Sequence, residues 1–163
     1  MRLLLLAFVL TFAACSNDAP PVDPDSIADP VEPTIEQAAP TTKINLNTAT
    51  DAEFKTVPGV GDRMAHEFDE YRPYASITQF RREMAKYVDA DVIAGYEQYV
   101  FVPIDMNASD AATLAQLPGV DETEAQTLID ARPFDSQEQF MDALAPMMTD
   151  KERADVATYL AVQ

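Results

Sequence analysis

Between Val57 and Arg63 the chain reads Val-Pro-Gly-Val-Gly-Asp-Arg, and this segment is the strongest candidate for chemistry. Two glycines flank one apolar residue, a helix start follows, and a base sits in its first turn. Glycine lets the backbone approach a ligand closely and adopt conformations other residues avoid. Successive amides in such a turn can cradle an anion, and the helix behind adds its unpaired first N–H groups and positive dipole end. The chemistry predicted for Gly59, Val60, Gly61 and Arg63 is therefore capture of a phosphate-like anion. Lys55, Arg81, Arg82 and Lys86 are expected as auxiliary basic contacts, although nothing in their spacing puts them on one face.

Other chemistries find little support. His66 is the only histidine and has no second imidazole or thiol with which to share a metal, so it is expected to face solvent. Asp121-Glu122-x-Glu124 lacks the spacing of a calcium loop and reads as a solvated helix start. No serine or cysteine has a base at a recognisable motif spacing, so catalysis, metals and cofactors are not expected. The tyrosines and phenylalanines read as core rather than as stacking platforms for bases.

The elements that must position the glycines occur twice. Ile44–Met84 slides onto Ile104–Leu144 without a gap and matches at 12 of 41 positions, among them Asn47/Asn107, Pro58-Gly59-Val60/Pro118-Gly119-Val120, Arg72-Pro73/Arg132-Pro133 and Gln79-Phe80/Gln139-Phe140. A gapless repeat means one structural unit used twice. Each copy predicts four short helices and no strand, so the expected class is all-α. Thr50-Asp51-Ala52-Glu53 is a capping box that starts the first helix, with Asp110 at the equivalent position of the second copy. Phe54 and Val57 are predicted inward, and Ala65, Phe68 and Tyr71 line one side of the second helix, leaving Asp62 and Glu67 to water. Pro73 and Pro133 stop that helix because proline cannot donate to its ladder. Ser76-x-x-Gln79 and Ser136-x-x-Gln139 read as capping boxes of a third helix. Its core pairs are Phe80 with Met84 and Phe140 with Leu144. A fourth helix is expected from about Asp89 to Tyr99 and from Thr149 to Leu160. A unit of about 58 residues buries only about 60% of its unfolded surface, so the copies are expected to pack on each other.

Two helices joined by Val-Pro-Gly-Val-Gly resemble the helix-hairpin-helix motif. With Ile44-Asn45-Leu46-Asn47-Thr48-Ala49 ahead and Tyr71-Arg72 behind, the first copy resembles the ComEA-like family of competence DNA receptors. The resemblance covers residues 44–100 well and 104–160 less well. It implies two tandem helix-hairpin-helix modules, 44–102 and 103–163, and weak binding of double-stranded DNA in the service of DNA uptake. Contact through the backbone makes such binding independent of sequence. The second module is degenerate: Asp121, Glu122 and Glu124 replace the open glycine start, and a carboxylate there repels phosphate. Where the family carries a second glycine-rich hairpin, this chain has Lys86-Tyr87-Val88-Asp89-Ala90 and Pro146-Met147-Met148-Thr149. The same turns equally fit a scaffold that fixes two helices at an angle and binds an envelope protein, or nothing.

Arg2, the apolar run Leu3–Phe12 and Ala13-Ala14 read as a signal peptide over residues 1–14. Cys15, the single cysteine, then resembles the acylated cysteine of bacterial lipoproteins. That implies a lipid anchor on the cell envelope, and Ser16 behind it favours the outer membrane, facing the periplasm. Residues 15–43 form a proline-rich acidic tether with no residues for a core, expected to be disordered.

The formal charge of −17 is uneven. The tether has six acids against one base, residues 44–102 ten against six, and residues 103–163 twelve against three. This balance argues against a strong polyanion ligand. Charges are screened over about 8 Å at physiological salt, however, so local charge at a contact outweighs the total.

Overall fold

A computed structural model describes residues 38–160. The predicted signal peptide, Cys15 and the tether as far as residue 37 lie outside the described residues, as do residues 161–163. From 38 to 43 the chain has no regular secondary structure. The rest is mostly α, with eight α-helices among the described residues: α1 Asp51–Phe54, α2 Asp62–Glu70, α3 Ile77–Met84, α4 Ala90–Tyr96, α5 Ala111–Leu114, α6 Glu122–Asp130, α7 Gln137–Leu144 and α8 Asp150–Tyr159. A 3-10 turn over Ala145–Met147 leads from α7 towards α8.

Helix starts follow their capping residues. Thr50 and Glu53 close a reciprocal capping box on α1, and Thr149 and Glu152 do so on α8. Asp110 caps α5 by accepting from the Thr113 amide. The serines that start α3 and α7 depart from expectation. Ser76 and Ser136 accept from the amides of Gln79 and Gln139, yet each glutamine reaches one residue further back, to the amides of Ala75 and Asp135.

The all-α expectation needs one correction. Ile44–Asn45 (β1) pairs in parallel with Val100–Phe101 (β2), and Ile104 bridges Leu160 in the same sense. The start of each repeat is thus tied to the chain behind its fourth helix: the Ile44 amide donates to the Tyr99 carbonyl at 2.8 Å and that of Ile104 to Tyr159 at 2.7 Å. Two-residue strands leave no alternation for the sequence to display.

A separate core fills each repeat. In the first, Phe54, Phe68, Phe80 and Tyr96 meet edge to face, with Phe68 at 5.3, 5.2 and 5.4 Å from the other three. Such pairs contribute about 0.5–1.5 kcal/mol each beyond the area they bury. The second core is mostly aliphatic, with Leu114 and Leu128 in place of Phe54 and Phe68, and keeps one such pair, Phe134–Phe140 at 5.1 Å. The repeats pack through α3 and α5. The buried Ile77 amide, the first of α3, donates to Thr113 Oγ1 at 3.0 Å, and Gln116 pairs with both backbone groups of Val102. Phe101 leaves the first core and stacks on Tyr159 at 4.8 Å.

Two matched side chains act as clasps. Asn47 donates to the Tyr74 carbonyl and accepts from its amide, at 2.9 and 2.8 Å, and Asn107 repeats both bonds at Phe134. Arg72 donates to the carbonyls of Leu46 and Ala49, and Arg132 to those of Met106 and Ser109. Together they fasten the lead-in segment to the turn behind the second helix.

Candidate functional site

The first hairpin is α1, the turn Lys55–Gly61, and α2. Gly59 takes φ +82° and Gly119 φ +75°, a region that disfavours any side chain, so both turns need this glycine. Val60 is buried, and its amide donates to the Val57 carbonyl at 3.0 Å. This corrects the expectation for Val60: the turn consumes its amide, so Val60 fixes the loop and offers an anion nothing. Gly61 is different. Its backbone is extended, at φ −92° and ψ −174°, and a Cβ built there meets nothing within 4 Å. Open space lies where a side chain would stand, and its amide has no acceptor among the described residues.

Gly61 is the N-cap of α2 and supplies no side-chain cap. The first amides of a helix have no partner within it, and those of Arg63 and Met64 have no acceptor among the described residues. Asp121 occupies the same position in the second repeat with almost the same backbone, φ −92° and ψ −178°. Its carboxylate accepts from the amides of Thr123 and Glu124 at 2.8 and 2.9 Å, and Glu124 accepts from the Asp121 amide at 2.8 Å. Three amides that stand open in the first hairpin are therefore closed in the second by the protein's own carboxylates. A carboxylate there occupies the position an incoming anion would take.

The bases divide into three groups. Arg63, exposed in the first turn of α2, lies over the Tyr87 ring with Cζ 5.6 Å from its centroid. Alone among the bases of residues 44–102 it has no carboxylate within ion-pair distance among the described residues. Lys55 sits at the hairpin mouth, 2.5 Å from Asp62. Their hydrogen bond holds the ammonium above the usual lysine value and the carboxyl below the usual aspartate value. Arg82 and Lys86 share one carboxylate, Glu83, at 2.8 and 2.5 Å. Arg81 goes elsewhere, into a bidentate pair with Glu97 of the α4 C-terminus at 2.7 and 2.8 Å. The structure thus places Arg63 and Lys55 at the hairpin, Lys86 and Arg82 on α3 and its end, and Arg81 against α4.

Several residues of this region escape sequence reasoning. Glu83 is buried although charged, and its two cations explain why it is tolerated: hydrogen bonds from Lys86 first, then Arg82, hold its carboxyl below the usual glutamate value. Glu67, expected in water, is half-buried with Oε2 enclosed. Tyr71 and Tyr87 join hydroxyls at 2.7 Å. Lys43, read as the end of the tether, is half-buried in a cleft with Ile77, Arg81 and Glu97, where burial lowers its pKa and Glu97 partly offsets the effect. None of these departs from its local pattern in a way the sequence marks. Asn47 and Arg72 did carry a signal, since both recur at the same place in the second repeat.

His66 is exposed and lies 3.7 Å from Glu70. Among the described residues no group of three or more His, Cys, Asp or Glu side chains is placed to hold a metal, and no helix is long and apolar enough to cross a membrane. Comparison with family models, with curated proteins and with solved structures gives no match to this chain.

Proposed function

We propose that the chain is an envelope-anchored protein built of two tandem helix-hairpin-helix-like modules, binding DNA weakly and without sequence preference through the first hairpin. The observation that carries this reading is the difference between the hairpins. The amides of Gly61, Arg63 and Met64 stand open beside an unpaired Arg63, where Asp121 and Glu124 close their counterparts. Open amides, a helix dipole and one uncompensated guanidinium suit a phosphate of a nucleic-acid backbone. The resemblance to the ComEA-like family points to the same ligand and to a part in DNA uptake. Anchoring through Cys15 and a reach through residues 16–43 belong to the same proposal.

Binding of the full-length chain to a short duplex of mixed sequence, followed by fluorescence anisotropy at low and physiological salt, tests it. One clamp predicts dissociation constants in the non-specific range, about 10⁻⁴–10⁻⁶ M. Gly61→Asp gives the first hairpin the chemistry of the second and abolishes binding. It also caps α2 where a Cβ has room, so the variant gains about 0.5–1 kcal/mol of stability. Loss of binding with a gain in stability separates a lost site from a lost fold. No binding by wild type at low salt, or equal binding by Gly61→Asp, ends the DNA reading.

A second reading, a protein-binding scaffold of the envelope, is favoured by a groove of about 590 Å³ between α3 and α4. Ala85, Ala90, Ile93 and Ala94 line it together with Thr78, Arg82 and the Arg81–Glu97 ion pair. Recovery of one specific envelope protein by a chain that fails to bind DNA would select this alternative.

A further inference from the structure

Arg63 and Lys86 come from opposite ends of different helices, yet both lie on one pair of tyrosines. Arg63 Cζ is 5.6 Å from the centroid of Tyr87, and Lys86 Nζ is 4.5 Å from that of Tyr71. The rings are neighbours, with centroids 6.4 Å apart and hydroxyls bonded at 2.7 Å. Both pack against the first core and are half-buried, so the rings are fixed while the cations above them face solvent. A cation within about 6 Å of a ring face is attracted by the ring quadrupole, which limits the wandering of a long side chain. The second repeat has Thr123, Pro146, Ala131 and Met147 at the four positions, so the arrangement accompanies the open hairpin and is missing with the closed one.

The groups around the pair keep its charges steady. The hydrogen bond with Tyr71, then Glu67, push the Tyr87 phenol well above the ordinary tyrosine value. Glu83 holds Lys86 above the ordinary lysine value. The Tyr87 phenol thus stays neutral and Lys86 charged at physiological pH.

We propose that the Tyr71–Tyr87 pair seats Arg63 and Lys86 as a two-cation extension of the hairpin site, with Tyr87 positioning Arg63 on a backbone phosphate. The inference rests on the DNA reading above and narrows its ligand to a phosphodiester chain. A lone phosphate fills the open amides, whereas a chain continues onto the cations above the two rings.

The full-length chain is titrated with a duplex and with inorganic phosphate across a salt series, as wild type, Tyr87→Leu, Tyr87→Phe, Arg63→Ala, Lys86→Ala and the Tyr87→Leu/Arg63→Ala double variant. The duplex is expected to bind far more tightly than inorganic phosphate. Tyr87→Leu should weaken duplex binding severalfold and reduce the log–log salt slope by about one unit, while leaving the Arg63→Ala protein no weaker. Tyr87→Phe keeps the ring and most of the affinity, and Lys86→Ala alone also reduces the slope by about one unit. Equal losses from Tyr87→Leu with and without Arg63, or an unchanged slope, would make Tyr87 merely structural and overturn the proposal. An unchanged slope in Lys86→Ala overturns it even if Tyr87→Leu fails to fold. Wild type that binds no duplex removes the DNA reading as well, whereas binding that ignores Tyr87 and Lys86 removes this inference only.

Discussion

Arg132→Ala and Arg72→Ala probe the same clasp in two settings, and the structure ranks them. Arg132 donates to the carbonyls of Met106 and Ser109 at 2.9 and 2.6 Å, and both residues are buried. A hydrogen bond from a charged donor contributes about 1.5–3 kcal/mol, and truncation leaves two carbonyls without a partner. Arg132 is half-exposed, so water reaches part of the site and the lower end applies: about 2–4 kcal/mol in all. Arg72 makes the same two bonds and two further contacts, an ion pair with Asp69 at 2.8 Å and a stack 4.6 Å from the Phe54 centroid. The exposed pair adds about 0.2–1 kcal/mol and the stack about 0.5–1 kcal/mol. Arg72→Ala should therefore cost about 1–2 kcal/mol more than Arg132→Ala. Folded domains of this size are stable by about 6–18 kcal/mol, so both variants still fold. Urea unfolding of the full-length chain, followed by its helical circular dichroism, measures the difference. A lysine is a point charge that cannot span both carbonyls, so Arg132→Lys recovers less than half of the loss. The clasp is refuted if Arg132→Ala costs as much as Arg72→Ala, or if both cost less than about 0.5 kcal/mol, the scatter expected at surface sites.

Thr113→Val removes the acceptor of the buried Ile77 amide with little change of shape, and should cost about 1–3 kcal/mol and loosen the coupling between repeats, seen as a broader urea transition. The capping-box bonds from Thr50 and Thr149 hold Glu53 and Glu152 below the ordinary glutamate value of 4.5. A depressed folded pKa contributes stability above the unfolded value and loses it as pH falls through the folded value. The cost of Glu53→Gln should accordingly be full at neutral pH and shrink below about 4.5, where relief of self-repulsion acts alike on both proteins. Cys15→Ser should release the chain from the membrane fraction or block its processing; identical fractionation, with an unmodified terminus at Ser16, refutes the anchor.

The helices were legible because their signals are local. Thr50-x-x-Glu53, Asp110 and Thr149-x-x-Glu152 name the starts, and Phe54, Phe68, Phe80 and Met84 fall on the buried side as their spacing requires. The hairpin was legible for a related reason. A glycine at φ +82° and an uncapped helix start are both written in single residues, Gly59 and Gly61. What escaped depends on two distant residues at once. β1 and β2 pair across more than fifty residues and are too short to alternate. Glu83 looks like a solvated helical acid until Arg82 and Lys86 turn to it. Thr113 and Gln116 join the repeats at positions where the repeats differ, so no internal comparison points to them.

Net charge and local charge disagree in this chain, and the pairing of its bases explains how. Residues 44–102 carry ten acids against six bases, which suggests a surface hostile to a polyanion. Four carboxylates nevertheless account for five of those bases: Asp62, Asp69, Glu83 and Glu97, with Glu83 serving two. Six acids remain, so the positive excess is only local: Arg63 together with the surplus charge at Glu83, joined through the Tyr71–Tyr87 pair. Glu67, one of those acids, is half-buried with Oε2 enclosed, and it acts on the Tyr87 phenol. Beyond about 8 Å the remaining acids are screened at physiological salt and unscreened when salt is low. A duplex approaching the first hairpin therefore meets two opposing dependences: counterion release favours low salt, while the twelve acids of the second repeat repel most strongly there. The salt slope of the wild-type chain should fall short of that expected for its phosphate contacts and steepen once Asp121, Glu122 and Glu124 are neutralised together. A slope that ignores those three acids would mean that the second repeat lies too far from the bound duplex to be felt.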